Sequence, residues 1–152
     1  MIGRLASIDA ELRSGRGMNY WKAQTLMASA RFPHKGKPIG NNTRLYFTES
    51  TFSDGNYYSV RLHGNEILRI YRDRFVPMDA GWRTITTKAR LNEFMPVGYV
   101  YQRNWDWYLT IGDTTYDWGD VYFISTQDEN YGEVMLYSTH PKWPSQVQEV
   151  EE

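Results

Sequence analysis

Arg61, His63, Arg69, Tyr71 and Arg72 fall within one short stretch, and their types are those that hold a phosphate or carboxylate. A guanidinium grips an anion with paired donors, an imidazole titrates near neutrality, and a phenol adds a hydrogen bond and a ring. On a hairpin, alternate residues share a face. A three-residue loop at Gly64-Asn65-Glu66 aligns Tyr58, Val60 and Leu62 with Leu68 and Ile70 as one apolar face. A two-residue loop at Gly64-Asn65 would mix polar and apolar groups on both sides, so the longer loop is expected. Arg61 then stands directly opposite Arg69, beside His63 and Tyr71 on the outer face. Like charges so placed repel by up to roughly 1 kcal/mol unless an anion lies between them. Arg74, Arg83, Lys88 and Arg90 add to the field, and Trp82 and Tyr57 offer stacking surfaces. Cations interleaved with aromatics suit a nucleic-acid backbone or a phosphorylated ligand. The competing reading is a solvated basic face partnered by the acidic C-terminal part of the chain.

A second candidate is Gly81-Trp82-Arg83-Thr84-Ile85-Thr86-Thr87-Lys88, which is Thr-rich and leads into a helix. Backbone N–H groups there, with Thr86, Thr87 and Lys88, can hold an anion, although no glycine-rich cradle precedes the lysine. Threonines at a helix start also serve simply as caps.

Other constellations carry less. His34, His63 and His140 form no i, i+4 pair and stand near no carboxylate at ligand spacing, so no metal site and no cofactor is expected. His63 alone, flanked by Arg61 and Arg69, is the one weak catalytic candidate, as a general base. Asp113, Asp117 and Asp120 lack the alternating oxygens and following glycine of a calcium loop. Trp105 and Trp107 share a face with Leu109 and Ile111, and this reads as core.

The elements that must position these residues are α+β: N-terminal helices, then an antiparallel sheet of about six to eight strands with one helix inserted at about 86–95. Ile2, Leu5, Ile8 and Leu12 repeat at helical spacing, and a second helix is expected over 19–31, packing through Tyr20, Leu26, Met27 and Ala30. Met18 is a second candidate start. Residues 32–38 read as a basic loop. Strands are expected at 44–48, 57–63, 67–72 and 75–78, the last at a sheet edge because of Pro77. Ser53-Asp54-Gly55-Asn56 reads as a hairpin turn. Thr84 to Thr87 cap the inserted helix, which packs through Leu91, Phe94 and Met95 and is closed by Pro96 and Gly98. Further strands follow at 97–102, 105–111, 121–125 and 133–137. The organisation is one domain: a helical segment over 1–40, a core over 41–140 and a loose acidic tail over 141–152.

Composition bounds the rest. The chain has 152 residues, is 41% hydrophobic and 16% aromatic, and carries no cysteine. That length and richness support a packed core, and the absence of thiols excludes disulfides and Cys-based zinc sites. No stretch reaches the roughly 20 apolar residues of a membrane helix, and no secretory leader pattern is seen. Net charge is −1, but residues 1–90 hold fifteen Lys/Arg against seven Asp/Glu, and residues 91–152 hold two against eleven. Such a division separates an anion-facing part from an acidic one.

The runs Asn41-Asn42-Thr43-Arg44-Leu45, Val60-Arg61-Leu62-His63, Gly81-Trp82-Arg83-Thr84, Thr86-Thr87-Lys88 and Arg90-Leu91-Asn92 resemble a family of small tailed-bacteriophage proteins. The likeness spans 41–108. Asn65 stands where relatives tend to show Thr, and Ala80-Gly81 where they show Gly-Gly. The resemblance implies a phage origin and a host-cytoplasm setting, and no mechanism. The charge division and the opposed arginines lead to the expectation of a non-enzymatic accessory protein that binds a polyanion, nucleic acid first. Its site would comprise Arg61, His63, Arg69, Tyr71, Arg72, Trp82, Arg83, Thr86, Thr87 and Lys88. Two competing readings stand beside it. In one, the acidic half, with Asp113, Asp117, Asp120, Asp128 and Glu129, imitates DNA and binds a host defence protein. In the other, His63 serves a metal-independent nuclease or phosphoesterase. No membrane partner is expected.

Overall fold

A computed structural model describes residues 17–50 and 55–125, together with the backbone of 134–136. The expected first helix, the first half of the turn at 53–56, the acidic pair Asp128 and Glu129, and the tail lie outside the described residues.

Helix α1, Tyr20–Ala28, begins where the Asn19 side chain accepts a hydrogen bond from the Lys22 N–H at 2.8 Å. It buries Tyr20 and Ala23, with Leu26 and Met27 partly covered, and is shorter than the 19–31 expected. Helix α2, Ile85–Phe94, starts at Thr84, whose hydroxyl accepts from the Thr87 N–H at 3.1 Å. It stops at Met95, whose extended backbone is what Pro96 demands of its predecessor. Leu91, Phe94 and Met95 are buried as the spacing required.

The strands are β1 Lys37–Gly40, β2 Thr43–Thr48, β3 Tyr57–Leu62, β4 Asn65–Ile70, β5 Arg74–Pro77, β6 Tyr99–Arg103, β7 Asp106–Ile111, β8 Thr114–Asp117, β9 Val121–Ser125 and β10 Val134–Leu136. They form two antiparallel sheets rather than the single one expected. A seven-stranded sheet has the order β1-β2-β3-β4-β5-β9-β10, and β6-β7-β8 form a three-stranded sheet. The chain leaves the large sheet after β5, makes α2 and the small sheet, and returns through β9.

Two strands were not anticipated. β1 holds Pro38, which an edge strand tolerates because the N–H that proline lacks need not pair with a neighbouring strand there. β8 lies in what read as an acidic loop, since the flanking aspartates mask a Thr-Thr-Tyr run of good strand formers. In turn, β5 is interior and not at an edge. Pro77 sits at its end, beyond the Arg74 and Phe75 positions that pair with β9.

One core joins the layers. Leu45, Val60, Leu68, Ile70, Phe75 and Ile124 come from the large sheet, Leu91 and Phe94 from α2, and Val100, Trp107 and Leu109 from the small sheet. Trp105 departs from expectation: it is 87% exposed while Trp107 is 2% exposed. The strand begins at Asp106, so Trp105 belongs to the β6–β7 turn and escapes the alternation that buries Trp107.

The hairpin between β3 and β4 sets where Arg61 and Arg69 stand. Leu62 pairs with Asn65, so the turn is the two residues His63 and Gly64, both in the left-handed region at φ 52° and 82°. This matches the backbone that a two-residue hairpin requires, with His63 in the place often taken by Asn. A bulge then intervenes: Arg61 pairs with Glu66, whereas Val60 pairs with Leu68. Ile67 is the extra residue, and it enters the core. The clean apolar face is restored by the bulge instead of by a longer loop.

Candidate ligand-binding cleft

The bulge removes the opposed arginine pair. Arg69 stands across from Ser59, and Arg61 across from Glu66. The Arg69 guanidinium donates from Nε to Glu66 Oε1 at 2.7 Å, and its carbon lies 4.4 Å from the centre of the Tyr57 ring. Glu66 also accepts from the Ser59 hydroxyl. Arg61 lies 4.5 Å over the Tyr46 ring, and Arg74 4.1 Å over Tyr71, which is 2% exposed. Arg61, Arg69 and Tyr71 thus share the second face of the sheet as expected. There they make a packed lattice of rings and guanidiniums closed by a native carboxylate, not an open anion clasp.

The other expected site residues divide among several places. Arg72 lies 5.4 Å and 5.3 Å from the rings of Tyr20 and Trp21, against α1. Lys88 donates to Gln102 Oε1 at 3.0 Å and faces the small sheet. His63, Trp82, Thr86 and Thr87 do come together. With Leu62, Asn65, Ile67, Asp79, Ala80 and Thr84 they line a cleft of about 400 Å³.

Three elements build this cleft. The His63–Gly64 turn presents the imidazole, and its backbone is anchored by the His63 N–H donating to Asn42 O at 2.7 Å. The bulge supplies the floor, since Ile67 and Leu62 are both buried. The segment before α2 supplies the far wall, where Trp82 is 61% exposed. Thr86 is exposed, whereas Thr87 is buried with its hydroxyl 3.0 Å from that of Thr84.

Asp79 holds the far wall in place. Its Oδ1 accepts from the Gly81 N–H at 2.8 Å, and its Oδ2 accepts from Arg83 Nε at 3.0 Å and Trp118 Nε1 at 3.1 Å. Its own carbonyl accepts from the Trp82 N–H at 2.7 Å. An Asp that bonds the backbone two residues on is an Asx turn, and Asp79-Ala80-Gly81 was the available signal. Its tie to Trp118 is long-range and had none. Burial pushes the Asp79 carboxyl up, but the Gly81 N–H, Arg83 and the Trp118 indole together outweigh it and bring it below its ordinary value. Arg83 is therefore committed to Asp79.

Trp118 meets Trp107 edge-on at 5.5 Å, so the core of the small sheet reaches the wall of the cleft through Asp79. Among the described residues, the His63 imidazole has no hydrogen-bond or ion-pair partner. A general base needs an orienting group, and the Asp79 carboxylate is already occupied by three donors. Nor is there a group of three His, Asp or Glu side chains able to hold a metal among the described residues. Asp113 precedes β8 and Asp117 ends it, both exposed, and Asp120 is half-buried. No helix among the described residues is long and apolar enough to cross a membrane.

A family model described as Kyanoviridae Gp96 protein matches residues 23–132, which include every element of the cleft. No curated protein and no solved structure matches the chain.

Proposed function

We propose that this chain, which belongs to the Kyanoviridae Gp96 protein family of tailed phages, is an accessory protein that binds an anionic ligand bearing a flat ring. The ligand class is the nucleotide unit of a nucleic acid, free or at a strand end, and binding is non-covalent. The supporting observation is the cleft, where Trp82, the apolar floor of Leu62 and Ile67, the His63 imidazole and the start of α2 face one volume. A volume of about 400 Å³ lies in the range of small-ligand sites. The indole and the floor favour a ring. The imidazole and the α2 terminus favour a phosphate over a neutral group. The arginines of the sheet face do not contribute to this reading, because Glu66 and the tyrosine rings engage them. The setting that goes with this reading is the cytoplasm of the infected host.

The test is a titration of tryptophan emission with a nucleoside monophosphate and a short single-stranded oligonucleotide, at low and moderate salt. A saturable change is expected, absent in Trp82→Ala and weakened only modestly by salt, since Arg83 is already paired. A flat response at low salt with both ligands would end the proposal.

A further inference from the structure

The exposed tip of the β6–β7 hairpin combines two features that work against each other unless something covers it. Asn104 and Trp105 form a two-residue turn with φ of 53° and 73°. Glycine is the favoured second residue of such a turn, because a Cβ is strained in the left-handed region. Here the position holds the bulkiest side chain available, and that side chain is 87% exposed. Backbone strain and an apolar surface in water coincide on one residue, which points to a contact made by the indole.

The surface next to the tip is of the same kind. Tyr99, Tyr101 and Arg103 of β6 and Tyr108 of β7 alternate with the core residues Val100, Trp107 and Leu109, and so point outward. Tyr101 lies 5.6 Å from Tyr108 and 5.7 Å from Tyr99, and Arg103 lies 5.7 Å over Tyr108. Tyrosine, tryptophan and arginine are the side chains that dominate protein contacts, and rings already packed on one another lose little freedom on docking.

Charge identifies the occupant. Among the described residues, the small sheet and its flanks, 97–125, carry Arg103 against Asp106, Asp113, Asp117 and Asp120. The described part of 17–96 carries twelve Lys/Arg against five Asp/Glu. An acidic, aromatic finger is thus displayed beside a basic part among the described residues. The negative charges on the finger, with Asp106 and Asp117 beside the tyrosines, repel a nucleic acid at this surface.

We infer that the β6–β7 hairpin is a self-association element, whose Trp105 tip and tyrosine face dock on the basic part of a second copy of this chain. Unlike surfaces meet in such a contact, so it is head-to-tail and propagates to a ring or an open row.

Sedimentation velocity across a wide concentration range, at low and high salt, tests this on the full chain. The wild type is expected to shift to larger species with concentration and to shift back as salt rises. Trp105→Gly relieves the turn, so its thermal midpoint should equal or exceed that of the wild type while association falls at least tenfold. Tyr101→Ser with Tyr108→Ser should weaken association independently of the turn. A wild type that stays monomeric throughout overturns the inference, whatever other protein it captures. So does a folded Trp105→Gly that associates as strongly as the wild type.

Discussion

Arg69 donates to Glu66 at 2.7 Å with both side chains largely buried, at 17% and 18% exposure, so the guanidinium on the second face of the large sheet meets a carboxylate of its own chain. A guanidinium that meets a native carboxylate and lies against the Tyr57 ring is a packing element. Glu66→Ala is expected to cost about 1–3 kcal/mol, because it takes away the carboxylate that a half-buried charge faces. Chemical denaturation of Glu66→Ala, Arg69→Ala and the double variant measures it. A coupling energy near zero would show that the pair does not hold the face together.

Asp79 gives stability a pH dependence with a fixed sign. Its folded carboxyl lies below the ordinary value of 3.8, so the stabilisation is complete above that value and is lost as pH falls through the folded one. Asp79→Asn keeps an acceptor for the Gly81 N–H but loses the charge facing Arg83. It should lower stability at neutral pH by about 1–2 kcal/mol and flatten the acid limb. Thermal midpoints of both forms from pH 2.5 to 6 test the sign, and parallel curves would contradict it.

Gly36 and Gly64 differ in what an added side chain would cost. Both have positive φ, at 78° and 82°, but a Cβ on Gly36 would lie 2.6 Å from the Tyr46 ring while one on Gly64 meets nothing within 4 Å. Gly64→Ala should cost about 1–2 kcal/mol for the left-handed backbone alone. Gly36→Ala adds the displacement of Tyr46 and, with ψ at 154°, a backbone region almost reserved for glycine, for a further loss of about 2–4 kcal/mol. Equal denaturation midpoints for the two variants would contradict both added costs.

Trp82 should behave differently in stability and in binding. It is 61% exposed, so Trp82→Ala should change stability by no more than about 0.5 kcal/mol. Ligand-dependent protection of the cleft amides in hydrogen exchange should nonetheless vanish in the variant. A ligand that protects Leu62 and Ile67 equally in both forms would place the ring elsewhere.

Much of the architecture was legible because local chemistry writes it directly. Thr84 and Pro96 bracket α2 through a cap and a backbone restriction, and the apolar spacing of Leu91, Phe94 and Met95 names its buried side. The alternation in Tyr58, Val60 and Leu62 fixed which face of β3 is core, and the composition of the run that leads into the first turn of α2 picked out Trp82, Thr86 and Thr87. These signals depend on residues within a few positions of one another.

The register of the β3–β4 hairpin did not have that property. Two simple loops were compatible with the residues, and the chain took a tighter turn plus a bulge, which sends Ile67 inward and sets Glu66 against Arg69. Only the total packing of the face selects that solution, since a bulge costs one ladder position and is repaid by side chains from α2 and the small sheet. The same holds for Asp79, whose Trp118 donor is thirty-nine residues away. Sequence alone determined which residues could line a site; tertiary structure decided which of them face one another, because pairing across strands and layers depends on neighbours that no local window contains.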